Sequence, residues 1–151
     1  MIRGFLPHLL SLKEAHIVNI SSMGGFLPVP GQAIYGASKA AVKIMTECLN
    51  SELCNTNIKV SIVYPGAIFT NIKANSGLEK KEGINAADYE KPPAGVLSPS
   101  KAAELIAQGV EQNRVQIYIG TDSKIMNFLY RLIPTFASNL INKKIQANHK
   151  M

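Results

Sequence analysis

Few cysteines and no long apolar runs set the first limits on this sequence. Its two cysteines, Cys48 and Cys54, form no CxxC pair and have no metal-ligand spacing. They therefore indicate free thiols in a reducing compartment rather than a disulfide framework, and we predict no metal site. No apolar run approaches the ~18 residues that a membrane span requires. We accordingly predict a cytoplasmic protein without a transmembrane segment.

Aromatic and acidic residues are also scarce. Aromatic residues make up 7% of the 151 residues, tryptophan is absent, and 16 basic residues face 10 acidic ones. Much of the positive charge lies between Asp122 and Met151, where five basic residues accompany a single acid. No basic cluster is interleaved with aromatic residues, so a nucleic-acid site is not predicted. A solvated helix end explains this charge, and contact with an anionic lipid surface stays open as the alternative.

The order of apolar segments predicts an α/β fold. Residues 16–20 and 59–64 are short β-branched runs typical of parallel strands that are buried on both faces. Between them, residues 32–53 repeat apolar side chains at helical spacing, which makes a right-handed βαβ unit. A capped helix over residues 98–112 and a strand over residues 115–119 continue the alternation.

Two segments carry weaker patterns. Residues 71–97 combine helix breakers with a charge cluster, and we predict a mobile insertion over the site with room for one short helix. Residues 122–151 are predicted to form a C-terminal helical tail whose apolar stripe is interrupted by Pro134. The whole chain, residues 1–151, is predicted to belong to a single domain.

The first chemical signal is a tyrosine and a lysine at helical spacing. Tyr35 and Lys39 are four residues apart on the predicted helix, so their side chains share one face. A nearby ammonium lowers the pKa of a phenol, ordinarily about 10, toward the range where general acid–base catalysis is efficient. Ser22 follows the first strand, at the edge where ligands bind in parallel sheets. Alone, the pair is weak evidence, because solvated pairs of this kind are common on helices.

The surrounding segments make this signal specific. The chain contains NISSMGG at residues 19–25, YGASK at residues 35–39 and PGAIFT at residues 65–70, with Tyr35 thirteen positions after Ser22. Together they resemble the short-chain dehydrogenase/reductase family in its shorter form. Essentially the whole chain is similar to the second half of that family. The resemblance implies the carboxyl half of a Rossmann-like, doubly wound parallel sheet between two layers of helices.

The resemblance also implies roles for individual residues. Ser22 would position a carbonyl or hydroxyl group, Tyr35 would be the general acid/base, and Lys39 would assist Tyr35 and bind the nicotinamide ribose. The cofactor would be NAD or NADP, and the residues that bind it would be Tyr35, Lys39, Pro65, Gly66, Ile68 and Thr70. Ser21 competes with Ser22, and the family's spacing favours Ser22. The implied reaction is hydride transfer between the nicotinamide and a small alcohol or carbonyl substrate.

The tail is expected to shape the substrate pocket. In the related family, the segment after the last strand commonly lines that pocket. Phe128, Leu132 and Phe136 could cover the substrate cleft or a neighbouring subunit, and we favour closure of a pocket or such packing over contact of the tail with a membrane surface. A pocket of this kind implies a moderately apolar substrate.

Several family features are missing. The sequence contains no TGxxxGxG turn, no Asn-Asn-Ala-Gly segment and no equivalent of the asparagine of the catalytic tetrad. The absent turn is the one that holds the pyrophosphate at a helix N-terminus. We therefore expect an incomplete domain that is inactive in isolation, with a homo-oligomer as the full-length form.

Two alternatives remain. A non-catalytic fragment could retain only a dimerisation surface, because in the related family the helix at the start and the helix bearing Tyr35 form a dimer interface. Residues 31–36 also have the glycine spacing of a phosphate-binding loop, but Ala37 stands where such a loop requires lysine.

Overall fold

A parallel β-sheet forms the centre of the molecule. The computed structural model describes residues 1–70, 72 and 92–148. In these residues the sheet has three strands in the order β1-β2-β3: β1 (Ala15–Ile20), β2 (Ile58–Pro65) and β3 (Gln116–Ile119). Both pairings are parallel, with Ala15 opposite Ile58 and Ile62 opposite Gln116. The predicted α/β fold with a parallel sheet is confirmed.

Helices alternate with the strands, as the sequence predicts. The described part of the chain contains five α-helices: α1 (Ile2–Ser11), α2 (Ala33–Glu52), α3 (Pro99–Glu111), α4 (Thr121–Leu132) and α5 (Pro134–Asn148). The predicted interruption at Pro134 is present, because α4 ends at Leu132 and the proline begins a new helix. A short 3₁₀ turn, Met23–Gly25, lies in the loop after β1.

The predicted insertion over residues 71–97 falls largely outside the described residues. Of this segment the structure describes Ile72 and residues 92–97, the latter leading into α3. Leu97 pairs with Ile68 in an isolated parallel bridge. The loop before α3 is therefore held beside the segment that follows β2.

Helices cover both faces of the sheet. On one face, Ile17 and Val60 pack with Leu53 and with partly buried leucines of α1 and α2. On the other, Val63 and Ile117 pack with residues of α3. The three layers place the carboxyl ends of all strands along a single edge, since the strands are parallel. In such sheets this edge is where ligands bind.

Candidate active site

Strand β1 is followed by two adjacent serines with different surroundings. Ser21 is 2% exposed, and its hydroxyl donates to the carbonyl oxygen of Lys39 at 2.8 Å. Ser22 is partly buried, and its Oγ accepts a hydrogen bond from the backbone N–H of Gly24 at 3.2 Å. A hydroxyl has one proton to donate. Ser21 uses its proton within the fold, whereas the contact with Gly24 leaves the Ser22 proton for a ligand.

Helix α2 carries Tyr35 and Lys39 on the face that is turned toward β1. Lys39 Nζ lies 5.8 Å from the centroid of the Tyr35 ring and donates to the carbonyl oxygen of Ile20 at 3.2 Å. Two turns further along the same face, Thr46 Oγ1 accepts from Asn19 Nδ2 at 3.0 Å. Because Thr46 is buried and bonded to β1, the helix cannot rotate without breaking that bond. This contact fixes the direction in which Tyr35 and Lys39 point.

Gly24 brings the serine and the tyrosine together. A Cβ added at Gly24 would lie 3.4 Å from Cε1 of Tyr35 and 3.8 Å from Oγ of Ser22. The two side chains therefore flank the same glycine at the carboxyl end of β1. Tyr35 is 41% exposed, so this cluster of Ser22, Tyr35 and Lys39 is open to solvent.

The segment after β2 lies at the same edge of the sheet. Pro65 is the last residue of β2. Strand β1 ends beside it, and just after β1 the N–H of Ser21 donates to the carbonyl oxygen of Val63 at 2.9 Å. Gly66 follows directly, and its N–H donates to the carbonyl of Ile119 at 2.9 Å. Thr70 is exposed at the end of this segment. The predicted cofactor-binding residues thus begin next to the cluster of Ser22, Tyr35 and Lys39.

The bridge at Ile68 orients its backbone. The N–H of Leu97 donates to the carbonyl of Ala67 at 3.1 Å, and the N–H of Phe69 donates to the carbonyl of Leu97 at 2.9 Å. In parallel pairing, the residue between the two bonded positions, here Ile68, directs its own N–H and C=O away from the partner strand. The peptide groups of Ile68 therefore point away from Leu97.

Asp122 is a residue at this edge that the sequence analysis missed. Its Oδ2 accepts from the N–H of Ala67 at 2.7 Å, and its carboxylate packs so closely on Gly66 that an added Cβ would overlap it. A side chain at position 66 would therefore push the Asp122 carboxylate away from the N–H of Ala67. The sequence could have indicated Asp122, because this residue follows β3 and the carboxyl ends of adjacent parallel strands lie at the same edge of the sheet.

Two other tyrosines are unsuited to acid–base chemistry near neutral pH. Tyr64 and Tyr118 stack with ring centroids 4.9 Å apart, and Phe26 meets Tyr64 edge-on at 5.4 Å. Burial raises the pKa of Tyr64 well above its ordinary value, and the neighbouring Glu47 carboxylate acts in the same direction. Burial also raises the pKa of Tyr118. Both phenols are kept protonated by the interior of the protein.

An apolar cleft adjoins the cluster. It has a volume of about 530 Å³ and lies between the loop after β1, the first turns of α2 and the C-terminal helices. Gly24 is one of its lining residues, and Phe26, Leu27 and Val29 supply apolar walls. The cleft therefore begins next to the glycine that Ser22 and Tyr35 flank.

The tail borders the cleft through Tyr130, Ser138 and Asn142 and not through the three residues that were predicted to close a pocket. Phe128 and Leu132 are each 63% exposed, and Phe136 is 53% exposed. The reason is the rotation of α4, which buries Ser123 and Met126 instead. Within the described residues, the three predicted wall residues face outward.

Neither a membrane span nor a metal cluster is found in the described ranges. No helix there is both long and apolar enough to cross a bilayer. No group of three or more histidine, cysteine or acidic side chains in those ranges could hold a metal ion.

Several known proteins are similar to this chain in sequence and in fold. A family model for short chain dehydrogenases matches residues 1–81. Dehydrogenase/reductase SDR family member 7B of Mus musculus is 38% identical over 79% of this chain and 36% of its own length. The Drosophila melanogaster SDR family protein 7-like is 32% identical over 89% of this chain and 41% of its own.

Solved structures agree with this match. A short-chain dehydrogenase/reductase of Burkholderia phymatum in complex with NAD superposes with a TM-score of 0.66 at 27% identity, covering 87% of this chain and 53% of that one. The fold is also that of a Burkholderia cenocepacia short chain dehydrogenase in complex with NADP, with a TM-score of 0.74 at 24% identity over 93% and 52% of the two chains. The chain spans about half the length of the first curated relatives it matches. By its sequence and fold, this chain belongs to the short-chain dehydrogenase family.

Proposed function

We propose that this chain supplies the catalytic half of an NAD- or NADP-dependent oxidoreductase that interconverts an alcohol and a carbonyl compound. The observation that carries the proposal is the cluster of Ser22, Tyr35 and Lys39 at the carboxyl edge of the parallel sheet. Three side chains of the required chemistry meet there, although they come from two different elements.

Each residue of the cluster has a distinct task. In the reductive direction, the Ser22 hydroxyl donates a hydrogen bond to the substrate oxygen, and the Tyr35 phenol transfers its proton to that oxygen as the carbonyl becomes an alcohol. The Lys39 ammonium, anchored on the carbonyl of Ile20, stabilises the negative charge that proton transfer leaves on Tyr35. A bound nicotinamide supplies the hydride to the substrate carbon. The oxidative direction reverses these transfers.

The residues after β2 fit the nicotinamide end of such a cofactor. The backbone of Ile68 is turned away from Leu97, so its N–H and C=O are directed to pair with a carboxamide. Pro65 and Gly66 bring the backbone to the end of β2, and Thr70 adds an exposed hydroxyl. Lys39 provides a cation for the ribose hydroxyls.

The substrate is proposed to be moderately apolar because the cleft beside Gly24 has apolar walls. Phe26, Leu27 and Val29 line the cleft of about 530 Å³ that begins at Gly24. A cleft with these walls favours apolar groups on the substrate carbon.

A second candidate function is association without catalysis. Along the face of α2 turned away from the core, Ile34 is 86% exposed, Ile44 56% and Met45 43%. An apolar stripe of this kind suits a helix of a second copy. This alternative predicts self-association of the chain and no interaction with nicotinamide nucleotides.

Titration of the 151-residue chain separates the two candidates. We expect weak binding of NADH, without saturation in the micromolar range, because the sequence contains no glycine-rich turn for the pyrophosphate. Reduced nicotinamide mononucleotide, which lacks the adenosine half, should bind equally weakly, since the contacts present are on the nicotinamide side. Lys39→Met should weaken the binding of both nucleotides. Lys13 is an exposed lysine away from the site, so Lys13→Met should leave the binding of both unchanged.

Each result of the titration is decisive. Micromolar binding of NADH with much weaker binding of the mononucleotide would show a phosphate site elsewhere and contradict this assignment. Binding of neither nucleotide by a chain that sediments as a dimer would favour the association candidate.

A further inference from the structure

The outer face of α4 exposes an apolar stripe. Ile125 is 51% exposed, and Phe128 and Leu132 are each 63% exposed. At 100° per residue these three side chains fall on one side of the helix. Beyond Ile133, itself 55% exposed, α5 continues the pattern with Phe136 at 53% and Leu140 at 42%. We name these six residues the outer patch.

Packing on the opposite side of α4 fixes the stripe in its outward position. Ser123 is fully buried and donates to the carbonyl of Tyr64 at 2.8 Å, and Met126 is 9% exposed in a cluster with Leu27 and Ala137. A rotation that buried Phe128 would break this bond and expose Met126. The outer patch is therefore exposed in the described part of this chain.

The charged residues of α4 and α5 are basic where they are exposed. Lys124 flanks the α4 stripe and Lys143 follows Phe136 and Leu140 on α5, whereas Arg131 donates from Nη2 to Oε1 of Gln116 at 3.3 Å. The one acidic residue among the described positions of these helices is Asp122, and its carboxylate faces inward to the N–H of Ala67. The outer patch thus combines apolar side chains with the positive charges of Lys124 and Lys143.

We propose that the outer patch binds the surface of a bilayer that contains anionic lipids. An apolar stripe bordered by lysine and arginine is the pattern of a helix that lies in the plane of a membrane. The apolar side chains enter the boundary between headgroups and acyl chains, while the flanking cations remain at the level of the phosphates. No helix in the described ranges can span a bilayer, so the contact is peripheral. Lipid is favoured over a second copy of the chain because two identical basic patches repel each other.

Cosedimentation of the 151-residue chain with vesicles tests this inference. Vesicles of phosphatidylcholine with phosphatidylserine should bind the chain at low salt, and phosphatidylcholine alone should bind it at least about tenfold less, since the cations need anionic partners. Phe128→Ser with Leu132→Ser should reduce binding about tenfold or more. The matched control is Phe5→Ser with Leu10→Ser on α1, which removes an equally exposed phenylalanine, 59%, and a leucine at 45%, and should leave binding unchanged.

A variant that removes two positive charges tests whether vesicle binding depends on contact with anionic lipids. Lys124→Gln with Lys143→Gln should lower binding about fivefold for each cation removed, equivalent to about 1 kcal/mol each, and should reduce the salt dependence. Lys59→Gln, an exposed lysine on β2, is the control. The proposal is overturned if the wild-type chain does not bind anionic vesicles. It is also overturned if the outer-patch variant and the α1 variant bind these vesicles equally well. It is equally overturned if Phe128→Ser with Leu132→Ser changes a dimer to a monomer while vesicle binding is absent.

Discussion

At the scale of single residues, the two serines after β1 show how neighbours of identical chemistry acquire different tasks. Ser21 is held inside the fold by its bond to the Lys39 carbonyl, and Ser22 stands beside Gly24 and Tyr35. One hydroxyl therefore ties β1 to α2, and the next reaches the site.

Alanine substitutions separate these two tasks. In an active form of the protein, Ser22→Ala should lower kcat/KM about a hundredfold, because a hydrogen bond to the developing charge is lost. Ser21→Ala should instead lower the free energy of unfolding by about 1 kcal/mol and leave turnover within a few-fold of wild type. Steady-state kinetics and urea unfolding of both variants check this. Equal losses of activity in the two variants would show that the serine assignment is wrong.

At the scale of elements, the contact between the 3₁₀ turn and α2 sets the geometry of the site. Gly25 is buried, and a Cβ added there would lie 2.9 Å from the carbonyl oxygen of Lys39 and also overlap the Ser21 hydroxyl. A backbone oxygen in a helix cannot move aside as a flexible side chain can. The turn therefore approaches α2 only because position 25 has no side chain.

Gly25→Ala should destabilise the fold by about 1–3 kcal/mol, since overpacking forces the turn away from α2. Gly4→Ala is the matched control, because nothing lies within 4 Å of an added Cβ at that position of α1. The control should raise stability by up to about 1 kcal/mol, as alanine is the better helix former. Chemical denaturation measures both changes. A Gly25→Ala variant as stable as Gly4→Ala would contradict the close approach.

At the scale of the whole molecule, the order of elements and the proximity of Ser22, Tyr35 and Lys39 could be predicted from the sequence. Helical spacing placed Tyr35 and Lys39 on one face, and parallel strands placed Ser22 and Pro65 at one edge. The orientation of α4 could not be predicted in this way. That helix has apolar residues on two sides, and periodicity does not tell which side packs.

The bond between Asp122 and Ala67 escaped prediction for a related reason. It joins residues 55 positions apart, and its geometry depends on the rotation of α4 as well as on the strand order. Local spacing carries no information on that rotation.

The proposed function depends on proton transfer by Tyr35, and one substitution tests this step directly. In an active form of the protein, Tyr35→Phe removes the phenolic oxygen and should lower kcat for carbonyl reduction by about 10²–10⁴-fold. Its folding and its affinity for nicotinamide nucleotides should stay near wild type, because the ring remains. Tyr118→Phe, which removes a hydroxyl bonded to Gln116 in the aromatic stack, is the control and should keep its turnover. A Tyr35→Phe enzyme that reduces its substrate at the wild-type rate would contradict the claim.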